Sequence, residues 1–127
     1  MKPLTLRPDL KAIYDHLGEE NLRKILIDFY QRMERDVMIG FFFTGKDVEA
    51  IALKQLSFLM RAMGATPSYS GKAPADAHGE LPPIRRGMFD RRLRILEETL
   101  IDHNLSADDT RTWVAFENAF RDAVEHS

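Results

Sequence analysis

The sequence predicts an all-α fold, and two observations support this. Apolar residues recur three or four positions apart along most of the chain, and no run alternates between apolar and polar residues as a half-buried strand does. Four glycines and four prolines lie between Gly64 and Gly87, so we expect an irregular stretch between two helical regions. The 127 residues correspond to one domain with one hydrophobic core.

The first two helices are predicted from Pro8 to His16 and from about Glu19 to Arg35. Proline is favourable at a first helical position, and Gly18 between the two helices is a typical helix end. One face of the second helix is apolar at helical spacing, so this face is expected to lie in the core. Its residues are Leu22, Ile25, Leu26, Phe29, Tyr30 and Met33.

An apolar run, Val37 to Phe43, follows the second helix. It is compatible with a buried strand or with a tight helical turn, and the turn is favoured because the rest of the chain contains no strand to pair with it. A third helix is predicted from Asp47 to Met63. Its inward face comprises Val48, Ile51, Ala52, Gln55, Phe58 or Leu59, and Ala62.

Two further helices are predicted after the glycine- and proline-rich stretch. The first runs from about Arg86 to His103 and stops at Asn104. The second starts after Ser106, because Ser106 and Asp109 have the spacing of a capping box. The inward faces are expected to contain Phe89, Leu93, Leu96 and Leu100 in one helix, and Trp113, Phe116, Phe120 and Ala123 or Val124 in the other.

The composition argues against several classes of function. The 18 basic and 20 acidic residues give a net charge of -2, so nothing favours binding to nucleic acid. Because the chain contains no cysteine, it forms no disulfide, thiolate zinc site or iron–sulfur cluster. No apolar run approaches the ~20 residues of a membrane span, and Met1 to Leu10 lacks the apolar core of a signal peptide. We therefore expect a cytoplasmic protein without membrane or nucleic-acid partners.

Two polar residues fall on faces that are predicted to be buried. Gln55 follows Ile51 by four residues on the third helix, and a buried amide without a partner costs about 1–3 kcal/mol. Gln55 therefore either has a partner inside the protein or lies at the boundary of the core. Tyr30 is either an ordinary core tyrosine whose hydroxyl bonds a surface or backbone group, or it shares a cavity with Gln55. Such a cavity would suit a small polar ligand.

His78 is the third unusual position. It lies between Ala77 and Gly79, among small residues of the irregular stretch. A lone histidine is more often a surface residue, but the small neighbours leave room for a large flat group. One imidazole is enough to hold a haem iron, because the porphyrin supplies four other ligands, whereas zinc needs three or four protein ligands. The other three histidines are interpreted as surface residues: His16, His103 and His126.

Together, these residues resemble the truncated haemoglobins, the short bacterial-type globins, over roughly Leu10 to Val124. The order and spacing of several short motifs carry the resemblance: Tyr14 to Glu20, Asp28-Phe29-Tyr30, Phe42-Phe43 followed by Gly45, Lys54 to Phe58, Met63-Gly64-Ala65, Tyr69-Ser70-Gly71, Ala77-His78 and Leu81 to Phe89. The Lys54-Gln55 pair and the turn at Tyr69 are most similar to the first group of the family.

The resemblance implies a two-over-two helical sandwich around haem b. His78 would be the proximal iron ligand, and Phe43 would wedge the haem in place. Tyr30 and Gln55 would donate hydrogen bonds to dioxygen. Ile51 would lie where many globins carry a distal histidine, and the pocket would be walled by Phe58, Leu59, Ile84 and Met88. Lys54 would approach a haem propionate or, alternatively, bind the iron, and the other candidates for the propionates are Lys46, Lys72 and Arg85.

The function implied by the resemblance is reversible binding of dioxygen, nitric oxide or carbon monoxide, including oxygen transport. The alternative is a haem enzyme, either a nitric oxide dioxygenase or a peroxidase-like catalyst, which would need an external reductase because no reductase domain fits within this length. A third interpretation is a globin-shaped sensor or interaction module without haem. The presence of His78 and Phe43 argues against that third interpretation.

Overall fold

The computed structural model describes residues 8–65 and 86–119, and within these ranges it contains four α-helices, one 3₁₀ helix and no strand. The predicted all-α class is therefore confirmed. None of the described helices is long and apolar enough to cross a bilayer. The elements are α1 (Pro8–Glu34), the 3₁₀ helix (Gly40–Phe43), α2 (Val48–Ala62), α3 (Arg86–Asp102) and α4 (Ala107–Asn118).

The first two predicted helices form one helical segment, α1, with a break at Gly18. Gly18 has φ 78° and ψ 167°, which is not helical. A positive φ is readily adopted by glycine and strained for residues with a Cβ, so the sequence itself places this break. The apolar face predicted after Gly18 is confirmed, since all six of its residues are buried in the core.

The apolar run after α1 forms the short 3₁₀ helix, so the predicted helical turn is confirmed for this segment. Phe42 and Phe43 are buried, whereas Phe41 is exposed and stacks on Phe42 with ring centroids 4.3 Å apart. The turn brings Phe43 against α1, where its ring meets that of Tyr30 edge to face at 6.1 Å.

Asp36 holds the chain between α1 and the 3₁₀ helix. Its Oδ2 atom accepts hydrogen bonds from the backbone N–H groups of Met38 (2.9 Å) and Ile39 (3.2 Å). Its Oδ1 atom accepts from Nη2 of Arg91 on α3 at 2.6 Å and from Nε at 2.9 Å. The carboxylate is almost fully buried, so it links α3 to the turn that positions Phe43.

Asp36 is expected to make the stability of the protein sensitive to acid. The Arg91 guanidinium, with the two backbone N–H groups, lowers the pKa of Asp36 below its ordinary value of 3.8, although burial opposes this. A lowered folded pKa contributes stability above the unfolded pKa, and this contribution is lost as the pH falls through the folded value. We expect Asp36→Asn to lose about 1 kcal/mol at neutral pH. We also expect the unfolding free energy of this variant, measured with urea, to fall less steeply with decreasing pH than that of the wild type below about pH 4. Parallel pH profiles for the two proteins would contradict this.

The helices assemble around α1, which packs most extensively against α2 and also contacts α3, α4 and the 3₁₀ helix. The second packed pair consists of α3 and α4, which join through a short turn. Asn104 adopts φ 67° in that turn, as expected for a helix stop. The Ser106 side chain accepts a hydrogen bond from the Asp109 N–H at 3.0 Å, so the predicted N-cap of α4 is confirmed.

Two histidines form contacts between helices that the sequence did not predict. The Asp109 carboxylate contacts Nδ1 of His16 at 2.8 Å, which connects α4 to the first part of α1. His103, at the end of α3, contacts Asp28 of α1 through Nε2 at 2.8 Å. His16 is exposed, as predicted, whereas His103 is only partly exposed because it packs against α1.

Candidate functional site

The two inward polar residues predicted from the sequence are both buried. Tyr30 on α1 is 2% exposed and Gln55 on α2 is 6% exposed. The alternative that Gln55 lies at the boundary of the core is therefore wrong. Since α1 and α2 pack face to face, their inward stripes bring a hydroxyl and an amide into an interior that is otherwise aromatic and aliphatic.

Gln55 has a buried partner, as the cost of an unpaired amide required. Its Nε2 atom donates a long hydrogen bond of 3.4 Å to Oε2 of Glu117 on α4. The other carboxylate oxygen of Glu117 accepts a 2.8 Å hydrogen bond from Nη1 of Arg92 on α3. Arg92 and Glu117 are 6% and 3% exposed, so this is a buried ion pair.

Arg92 and Glu117 are the two site residues that the sequence analysis missed. Charged residues are rarely buried, and for this reason neither was placed on an inward face. Helical spacing carried a signal for both: Arg92 lies three residues after Phe89, and Glu117 lies four residues after Trp113. Leu93, which the sequence placed on the inward face, is only partly buried.

The Arg92 guanidinium is held by aromatic rings as well as by Glu117. Its Cζ atom lies 5.1 Å from the ring centroid of Phe29 and 5.8 Å from that of Phe89. Both distances are within the range of cation–π attraction. Burial disfavours the charge on Arg92, but the charge and the hydrogen bond of Glu117, together with Tyr30, raise its pKa above the ordinary range. The arginine is therefore always charged.

Tyr30 lies beside this ion pair. Burial raises the pKa of its hydroxyl above the ordinary value of 10.0, and the negative charge of Glu117 adds to this, while Arg92 opposes it. Tyr30 therefore keeps its proton at neutral pH and can act as a hydrogen-bond donor.

The other predicted site residues are distributed as follows. Phe43 and Leu59 are buried, and Lys46 is exposed. Phe58 is partly buried and stacks on Phe116 of α4 with ring centroids 6.0 Å apart. Three further predicted residues are partly buried: Ile51, Lys54 and Met88. His78, Lys72 and Ile84 lie outside the described residues, as do Phe120, Ala123 and Val124 of the last predicted helix.

The structure thus buries Tyr30, Phe43 and Gln55 together in the interior. The ring of Tyr30 contacts that of Phe43, and Gln55 bonds Glu117, whose partner Arg92 packs on Phe29 beside Tyr30. In residues 8–65 and 86–119, no group of three or more histidine, aspartate and glutamate side chains is arranged to hold a metal ion. Chemically, the region offers hydrogen-bond donors from Tyr30 and Gln55 against an apolar wall.

Comparison with known proteins gives consistent results. The model of a family described as bacterial-like globin matches residues 12–126. A group 1 truncated haemoglobin of the alga Chlamydomonas moewusii is 28% identical over 93 residues, which are 72% of this chain and 54% of that protein. A group 1 truncated haemoglobin of Synechocystis is 33% identical over 73 residues, which are 57% of this chain and 59% of that protein. The chain therefore matches little more than half the length of these relatives.

A solved structure has the same fold. The 2/2 haemoglobin of a Synechococcus species, determined in the cyanomet state with covalently attached haem, superimposes with a TM-score of 0.73. The superposition covers 88% of this chain and 96% of that protein, at 24% sequence identity. The helical pairs around α1 are therefore arranged as in a 2/2 haemoglobin.

Proposed function

Since the chain belongs to the bacterial-like globin family and is a truncated haemoglobin of group 1, we propose that it binds haem b through His78 and reversibly binds dioxygen, nitric oxide and carbon monoxide. The observation that carries the proposal is the buried pair of donors, Tyr30 and Gln55, from two helices in an apolar interior. Glu117 accepts one N–H group of Gln55, so the second N–H group and the Tyr30 hydroxyl are the donors that we propose for a ligand.

The described residues fit a haem. A porphyrin is large, flat and mostly apolar, so it needs apolar side chains that the protein itself leaves partly uncovered. Ile51, Phe58 and Met88 are apolar and only partly buried, and Phe43 lies beside Tyr30. Lys54 is also partly buried, as expected for a lysine whose aliphatic stem packs while its ammonium reaches a propionate. We propose that Lys46 and Lys72 act similarly at the haem edge, and that Leu59 and Ile84 complete the walls.

The haem iron supplies the position at which a diatomic ligand coordinates. The protein supplies the hydrogen bonds around that position. Tyr30 has a proton to donate, because burial raises the pKa of its hydroxyl. Gln55 has two amide hydrogens, of which Glu117 accepts one. Each hydrogen bond to the ligand is worth about 1 kcal/mol, and more in a dry interior, so the two together slow ligand loss by about an order of magnitude or more.

The test is reconstitution of the purified protein with haemin, followed by absorption spectra in the ferric, ferrous and carbonyl states. We expect a sharp Soret band that saturates at one haemin per chain, and reversible spectral changes with dioxygen. His78→Ala is expected to lose the ordered haem spectrum, whereas His16→Ala, at an exposed position on α1, keeps it.

Two results would count against the proposal in different ways. A wild-type protein without a Soret band would overturn the haem function as a whole. A His78→Ala variant that binds haem as the wild type does would overturn the assignment of His78 as the iron ligand.

A further inference from the structure

Three of the α-helices each contribute one side chain to a buried polar network. The network, defined by Gln55 of α2, Arg92 of α3 and Glu117 of α4, is at most 6% exposed at any member. Tyr30 of α1 is buried beside Phe29, on whose ring Arg92 packs. Two members of the network are charged and face each other at 2.8 Å. An interior that needed only to be filled would be served as well by apolar side chains, because a buried ion pair is seldom more stable than apolar residues of similar size.

The donor and acceptor types determine how Gln55 is oriented. An ionised carboxylate only accepts hydrogen bonds, so the amide group that faces Glu117 must be the nitrogen of Gln55 and not its oxygen. Glu117 cannot turn away from this position easily, because its second oxygen is bonded to Arg92. The ion pair therefore selects one of the two orientations of the Gln55 amide and turns its oxygen away from the carboxylate.

Arg92 keeps Glu117 in this position. A guanidinium only donates hydrogen bonds, and Nη1 of Arg92 donates to Oε1 of Glu117 at 2.8 Å. Arg92 is held against movement by Glu117 and by the rings of Phe29 and Phe89.

We propose that Arg92 and Glu117 are positioning residues, which orient the Gln55 amide toward a ligand that neither Arg92 nor Glu117 touches. The inference rests on the proposed function, because it takes Tyr30 and Gln55 to be the groups that face the ligand. It goes beyond that function by making the strength of ligand binding depend on an ion pair that links α3 to α4.

The double variant Arg92→Met/Glu117→Leu tests the inference, because it removes both charges and leaves apolar side chains of similar size. In the haem-loaded protein we expect dioxygen to dissociate about fivefold faster, the factor that one hydrogen bond of ordinary strength is worth. We also expect the C–O stretching frequency of the carbon monoxide complex to move upward, because this frequency reports hydrogen bonding around the ligand. A purely structural role for the pair would move neither quantity.

The matched control is Arg94→Gln/Glu98→Gln, which removes an exposed arginine–glutamate pair from the same helix. This control is expected to keep the wild-type dissociation rate and stretching frequency. Arg92→Lys is the second test variant, since it keeps the positive charge but lacks the planar guanidinium that donates to Glu117 and packs on the rings of Phe29 and Phe89. It is also expected to release dioxygen faster than wild type.

The outcomes separate this inference from the proposed function. If the wild type and the variants bind haem and dioxygen, and the variants match the wild type in rate and frequency, the positioning role is wrong and the haem function stands. If the wild type binds no haem, the proposed function fails and the positioning role fails with it.

Discussion

Replacing Glu117 alone with leucine is expected to destabilise the protein by about 3–5 kcal/mol, because Arg92 then remains buried without its counter-charge. Arg92 has no easy route to solvent, since it packs against the rings of Phe29 and Phe89 and is 6% exposed. This loss is a large part of the roughly 5–15 kcal/mol that stabilises a typical domain. Urea unfolding followed by circular dichroism measures it directly.

The double variant Arg92→Met/Glu117→Leu is expected to regain most of that stability, to within about 1–2 kcal/mol of wild type. The remaining deficit comes from Gln55, whose amide loses the carboxylate that accepts its hydrogen bond. The exposed pair provides the comparison, because removal of Glu98 from its contact with Arg94 should cost less than about 1 kcal/mol. If the single Glu117→Leu variant proves as stable as the double variant, Arg92 is not confined as the structure shows.

A second large effect is expected from Gly40→Ala. A Cβ atom at this position would overlap the backbone carbonyl oxygen of Glu34, at the end of α1. The Gly40 N–H group donates to the carbonyl of Asp36 at 2.9 Å, so the chain has little freedom to move aside. We expect a loss of about 3 kcal/mol, at the upper end of what forced overpacking costs.

Gly40 also affects the functional site, because Phe43 lies in the same 3₁₀ helix. Displacement of this helix would separate Phe43 from Tyr30, so Gly40→Ala is expected to lower haem affinity as well as stability. Gly87→Ala is the control: Gly87 lies in α3 and has open space around a built Cβ. That substitution should be neutral or stabilising by up to about 1 kcal/mol. Equal unfolding free energies for the two alanine variants would contradict the close approach at Gly40.

Much of the local structure could be predicted from the amino-acid sequence. The helix break at Gly18, the stop at Asn104 and the N-cap at Ser106 each depend on one residue and its immediate neighbours. The inward face of α1 beyond Gly18 was also predicted, because helical periodicity determines which side chains share a side. The same periodicity placed Tyr30 and Gln55 inside the protein, although it left the depth of Gln55 open.

The chemistry around those two residues could not be predicted in the same way. Arg92 and Glu117 lie 25 residues apart, and Gln55 lies 62 residues before Glu117. Each of the two charges would be too costly to bury alone, so their residue types predict exposure. The cost of burial is offset when α3 and α4 bring the charges to 2.8 Å and α1 adds the ring of Phe29. Periodicity along one helix therefore accounts for which residues face inward, whereas the pairing of four helices accounts for which polar groups meet there.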